Sequence, residues 1–223
     1  MTDKVKRFLL KNSFLYIIAL ILALLFFDVE EIGPESTLIG LAGVNGWFRN
    51  ICHFNETIGY SPFFYGAVKV MFFISIAVCI FWSILFVRDM IKSGRLDGVG
   101  TDKNFAATFF LYIITMIICG ILKLLPVNYS PALFEGQVKL SSSFPAFHVL
   151  WIIISMGTTA FHIWEKFLEK KRIAIALSVL LGIFAALGII FGLICGIYWF
   201  TDIVGAILFG VMLIMLYSFF FDI

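Results

Sequence analysis

The stretch Ser141-Ser142-Ser143-Phe144-Pro145-Ala146-Phe147-His148 runs directly into an apolar series that ends near Trp164. Hydroxyls, a proline and then a mainly apolar series form the pattern of a membrane helix entered from one face of the bilayer. Serine side chains can cap the free N–H groups of such a helix, and proline suits its first turn. His148 then falls in that turn, where unpaired N–H groups create an anion-binding position. A titratable ring at the end of a span is costly and invites a functional reading. A packed, hydrogen-bonded histidine is the plainer alternative.

Working outward, the same kind of apolar run recurs. A bilayer core of about 30 Å needs about 20 helical residues, and runs of that order occupy 8–27, 66–87, 105–125, 144–164, 173–194 and 202–221. Composition agrees: of 223 residues, 62% are apolar and 13% charged, with a mean hydropathy of +1.06. Soluble domains carry about 25% charged residues, so a water-soluble fold is excluded and lipid is the solvent for much of the chain. The expectation is an all-α integral membrane protein of six transmembrane helices, a single polytopic domain over 1–223. The first run is read as a retained anchor, because it is long for a signal peptide and Phe27-Asp28-Val29-Glu30 lacks a small-x-small cleavage pattern.

Charge sets the expected orientation. Lys4, Lys6, Arg7 and Lys11 precede or open the first run. Arg88, Lys92, Arg95 and Lys103 fall in the second link, and Lys166, Lys170, Lys171 and Arg172 in the fourth. Twelve of the sixteen basic residues thus share one side, and only Arg49, Lys69, Lys123 and Lys139 lie on the other. Both termini are expected in the cytoplasm, in the plasma membrane, with Pro34, Pro62, Pro126, Pro131 and Pro145 on or bordering the opposite face. The aromatic segment 28–65 is expected either to lie on the head-group layer or to pack over the bundle. A net charge of +2 makes no case for nucleic acid. Cys52, Cys79, Cys119 and Cys195 form no CxxC pair and read as small hydrophobes, so no metal and no cofactor is expected.

Two further groups lie at span ends on the sparsely basic side. Lys123 closes the third run, where it either snorkels or faces an anionic head group. Asp202 opens the sixth, as a helix cap or as the orienter of Tyr198, one helical turn earlier. Asn55-Glu56-Thr57 and Asn128-Tyr129-Ser130 match the glycosylation triplet. Gly192-x3-Gly196 is a small-residue pattern suited to close helix approach, and His162 reads as an interfacial residue at the inner end of the fourth span.

Lys123-x6-Ser130-Pro131, Pro145-Ala146-Phe147-His148 and Phe191-Gly192-x5-Tyr198-x3-Asp202 together resemble the type 2 phosphatidic acid phosphatase superfamily of lipid phosphatases and phosphotransferases. Its members show Lys-x6-Arg-Pro, Pro-Ser-Gly-His and Ser-Arg-x5-His-x3-Asp at the ends of the third to sixth of six helices, on the extracytoplasmic face. The resemblance implies catalytic positions at His148, Tyr198 and Asp202, and phosphate-binding positions at Lys123, Ser130, Ala146, Phe147 and His148. The departures fall at the chemistry. Tyr198 stands where the family has its histidine nucleophile, Ser130 and Gly192 where it has arginines, and Ala146 where it has a hydroxyl. Hydrogen bonds to charged groups contribute about 1.5–3 kcal/mol each, so two missing arginines weaken phosphate binding by roughly 3–6 kcal/mol. Arg49, His53 and Lys139 are the outer-loop groups available to replace that charge.

The resemblance implies a membrane protein with an extracytoplasmic lipid-phosphate pocket but without standard phosphohydrolase activity, a pseudoenzyme in which Tyr198 and Asp202 form a hydrogen-bonded pair. Its partner would be a phosphorylated or pyrophosphorylated membrane lipid. One alternative is an active lipid phosphatase or head-group phosphotransferase using His148. Another is a non-catalytic scaffold or subunit with a membrane-protein partner.

Overall fold

The computed structural model describes residues 3–32, 36–54, 59–93, 102–134 and 139–220. Along the chain run α1 (Asp3–Phe26), β1 (Glu30–Ile32), β2 (Thr37–Ile39), α2 (Ala42–Ile51), α3 (Pro62–Ser93), α4 (Lys103–Leu124), α5 (Phe147–Lys166), α6 (Lys171–Ile194) and α7 (Phe200–Phe220). Six of these, α1 and α3 to α7, are long and apolar enough to cross a membrane. They coincide with the six expected runs. The Asn55 triplet, Pro34 and Arg95 lie outside the described residues.

The bundle is centred on α5 and α7. α5 packs against α6, α3 and α7, while α1 and α4 cover other sides of α7. Val149, Leu150, Ile152 and Ile154 of α5 are wholly enclosed. By contrast α6 buries only Ala174, Gly188 and Gly192, and turns its large apolar side chains outward to lipid. The small residues set how closely α6 approaches. A Cβ at Gly192 would stand 2.6 Å from Val149 Cγ2 and 2.9 Å from Ile203 Cδ1, so one glycine brings α5, α6 and α7 together.

No water satisfies polar groups inside a bilayer, so the protein must do so itself. At the end of the bundle holding both termini, Thr108 Oγ1 lies 2.8 Å from both His162 Nε2 and Tyr217 Oη. The His162 ring stacks on Trp82 at 3.9 Å. His162 is therefore a buried member of a network joining α3, α4, α5 and α7, and not an interfacial side chain. Lys6 Nζ donates to the Ser218 carbonyl at 2.7 Å and ties the start of α1 to the end of α7.

At the opposite end the antiparallel β1–β2 hairpin leads into α2, which lies against the start of α7. Ile39, Ala42 and Trp199 form a small apolar cluster there, and Trp47 and Ile51 stay exposed on the outer face. The described residues of segment 28–65 thus both cover the bundle and present aromatic surface outward. Asn45 of α2 caps α7: its Oδ1 accepts from Thr201 N–H at 3.2 Å and from Thr201 Oγ1 at 3.1 Å. The first N–H groups of a helix lack internal partners, so α2 satisfies one of them from outside.

Candidate functional site

His148 lies in the first turn of α5, but its helix is not capped by the serine run. Ala146 occupies the cap position without a side-chain bond, and Pro145 stands before the helix. The Ala146 N–H donates to the Asp202 carbonyl at 3.0 Å, which docks the start of α5 onto the start of α7. Ser142 Oγ donates to the Leu122 carbonyl at 3.2 Å. The anion-binding end expected at this turn is therefore partly used by the protein's own backbone.

The His148 ring turns towards α3. It lies 4.8 Å from the Phe72 ring and 6.4 Å from Tyr65, both edge-on, with Phe147 at 4.0 Å. Its Nδ1 shares a hydrogen bond with Tyr198 Oη. Tyr198 is 7% exposed, and burial pushes its hydroxyl well above the ordinary tyrosine value, with Cys195 adding to the rise. A hydroxyl held protonated in this way is a poor nucleophile at neutral pH.

Asp202 is fully buried and does not bond Tyr198. Its Oδ2 accepts from the Trp199 N–H at 3.0 Å, and its Oδ1 from Asn128 Nδ2 at 3.2 Å. Trp199 precedes α7 and Asp202 is its third residue, so the carboxylate reaches back as in one half of a capping box. The expected Tyr198–Asp202 pair is replaced by two separate contacts, Tyr198 with His148 and Asp202 with Trp199 and Asn128. Asn128 itself is wholly enclosed, so its triplet offers no accessible glycosylation nitrogen.

The positions where the family has arginines are also taken up internally. Ser130 Oγ donates to the Ile197 carbonyl at 3.1 Å, with the Ala132 carbonyl at 3.2 Å. Gly192 is covered by Val149 and Ile203. Of the replacement cations considered, Arg49 packs over the Trp199 ring at 5.8 Å. Its guanidinium donates to the carbonyls of Gly59 at 2.7 Å, Gly196 at 3.1 Å and Phe54 at 3.3 Å, so it clamps the α6–α7 turn. His53 and Lys139 are exposed. Gly196 makes the clamp possible. Its φ is +80°, and a Cβ there would meet Gly59 O and Tyr60 Cα, each at 2.9 Å. Gly196 thus serves the turn, and only Gly192 serves helix approach.

Space divides in the same way. The gap bordered by Tyr198, Trp199, Arg49 and Asn45 measures about 10 Å³, the room a single water needs. Lys123 instead borders a separate cleft of about 340 Å³ with Gly120, Ser141, Ser142, Pro145 and Phe147. Neither His148, Tyr198 nor Asp202 lines it. The structure therefore joins His148 to Tyr198, joins Ala146 to Asp202, and leaves Lys123 apart.

Three contributors were not expected at the site from the sequence. Asn45 and Asn128 reach partners 156 and 74 residues away. Lys69, exposed on α3, sits 4.2 Å over the Tyr65 ring that meets His148. Its place among Phe63, Phe64 and Tyr65, on the sparsely basic side, was the available hint.

No protein-family model matches the chain, and no curated protein matches it in sequence. Among solved structures it is similar to the first transmembrane PAP2 type phosphatidylglycerolphosphate phosphatase from Bacillus subtilis. The TM-score is 0.64 over 95% of this chain and 94% of that one, at 14% identity. The fold is thus that of a type 2 phosphatidic acid phosphatase, and the protein is a multi-pass membrane protein with that architecture.

Proposed function

We propose that this protein is a non-hydrolytic relative of the membrane lipid phosphatases that holds a phosphate-bearing lipid head group at the Lys123 cleft. The observation that carries this reading is the division of the site. The centre around Tyr198 is closed by hydrogen bonds, while the cleft under Lys123 stays open. Lys123 supplies the charge, and Ser141 and Ser142 supply hydroxyls beside it. Met116 and Phe147 give acyl chains an apolar wall. The basic bias of the links supports cytoplasmic termini, which places this cleft in the outer leaflet. The bacterial protein is a phosphatidylglycerolphosphate phosphatase, and a lipid phosphate is the ligand class carried over from it.

Native mass spectrometry of the purified protein with phosphatidic acid, diacylglycerol of matched chains and inorganic phosphate tests the reading. The expected result is retention of phosphatidic acid over both others, weakened about fivefold by Lys123→Ala, as befits one exposed ion pair. Equal retention of diacylglycerol, or no change in Lys123→Ala, contradicts it. Retention of inorganic phosphate alone would point to a soluble ligand and also overturn it.

A further inference from the structure

A groove of about 820 Å³ lies elsewhere, between α3 and α4. Its wall includes Cys79, Ile80, Ile84, Ile113, Met116 and Trp151, and its end at the termini-bearing face holds Arg88 and Lys92. The polar groups along it are already satisfied. Ser83 Oγ donates to the Cys79 carbonyl at 2.8 Å, and Tyr112 Oη lies 2.8 Å from Thr158 Oγ1. Phe109, which lines the groove, stacks on Phe86 at 4.8 Å.

We propose that this groove is a second lipid site, for an anionic phospholipid of the leaflet nearer the chain termini. Its phosphate would sit at Arg88 and Lys92 and one acyl chain along the groove. Arg88 and Lys92 are one helical turn apart, so they share a face of α3. Both are exposed, and neither has a hydrogen bond or ion pair within the described residues. The depth also fits. From Arg88 to Cys79 is nine residues, about 14 Å of helix, and half of a bilayer core is about 15 Å. Two cations at head-group level above an otherwise apolar slot of one leaflet's depth complement an anionic amphiphile. They do not complement a soluble anion, which would find no further polar contact below them.

Met116 lines both this groove and the Lys123 cleft, so the two meet near the middle of the membrane. The wall between them is apolar, and a charged head group crossing it would be stripped of solvent. The pair therefore forms two leaflet-specific sites and not a passage. This second site stands independently of the function proposed for Lys123.

The test is native mass spectrometry of the full-length purified protein with phosphatidylglycerol and phosphatidylcholine of identical chains. The variants are Arg88→Gln/Lys92→Gln, Ile84→Trp and, as a control cation at the termini-bearing end that lines neither cleft, Lys11→Gln, each first shown to melt as the wild type does. Wild type is expected to retain phosphatidylglycerol over phosphatidylcholine. The double variant should lose that preference about five- to tenfold, and Lys11→Gln should keep it. Ile84→Trp fills the groove without altering charge or orientation, and should reduce adducts of both lipids. An unchanged preference in the double variant overturns the proposal. So does an equal loss in Lys11→Gln, unaltered adducts in Ile84→Trp, or a groove occupied by a second copy of the chain as a dimer that excludes lipid.

Discussion

Gly192→Arg is expected to destabilise the protein by at least about 4 kcal/mol instead of restoring a phosphate site. By spacing, Gly192 stands where the related phosphatases carry an arginine, so the substitution looks like a repair. The geometry argues otherwise. A Cβ alone would come within 2.6 Å of Val149 Cγ2 and 2.9 Å of Ile203 Cδ1. Overpacking of this kind costs about 1–3 kcal/mol. The guanidinium would then be buried among packed apolar side chains, at an effective cost of several kcal/mol. Gly192→Ala should show the packing cost alone. Thermal unfolding in detergent measures both. A Gly192→Arg variant that melts like wild type would show that an open chamber exists beside Tyr198.

Asp202→Ala carries the second large effect, a loss of roughly 2–6 kcal/mol. The estimate counts the Trp199 N–H and Asn128 Nδ2, two buried donors left unpaired at about 1–3 kcal/mol each. The loss follows from position, since Asp202 joins the start of α7 to the segment carrying Asn128 and Ser130. Asp202→Asn should lose less, because one oxygen remains to accept one of the two bonds. Unfolding in graded denaturing detergent reads the difference. A change below about 1 kcal/mol for Asp202→Ala, less than one unpaired buried donor costs, would remove the carboxylate from its structural role.

Most of the transmembrane architecture was legible from length and hydropathy, because a span must satisfy its backbone internally and remain apolar throughout. The ends were less so. α3 was expected over 66–87 and runs Pro62–Ser93, since its last turns stay helical at head-group level, where Arg88 and Lys92 are tolerated. α2 was read only as part of an aromatic loop. Its two decisive residues, Asn45 and Arg49, reach Thr201 and the Gly196 carbonyl, both distant in sequence, and Arg49 also holds the nearby Phe54 and Gly59 carbonyls.

In the site, the reading of Tyr198 failed for a definite reason. Pairing it with Asp202 assumed one continuous helix, in which residues four apart face each other. In fact α6 ends at Ile194 and α7 starts at Phe200. Tyr198 therefore lies in a turn and is aimed at His148. Asp202 was read as the helix cap; it stands instead as the third residue of α7, three positions beyond Trp199, and its carboxylate accepts from the Trp199 N–H. Lys123 and His148 belong to consecutive helices, yet nothing in their spacing tells whether they share a cavity, and here they border different spaces.

Whether the closed centre turns over a phosphoester is the decisive question for this protein. Phosphate release should be followed for purified, lipid-reconstituted protein given phosphatidic acid, phosphatidylglycerolphosphate and a polyprenyl pyrophosphate in turn, wild type beside His148→Ala. The expected result is release at the rate of protein-free vesicles for every lipid, with no difference between the two proteins. Release by wild type that is lost in a folded His148→Ala variant would contradict it, and would mean that the Tyr198–His148 contact opens to admit substrate.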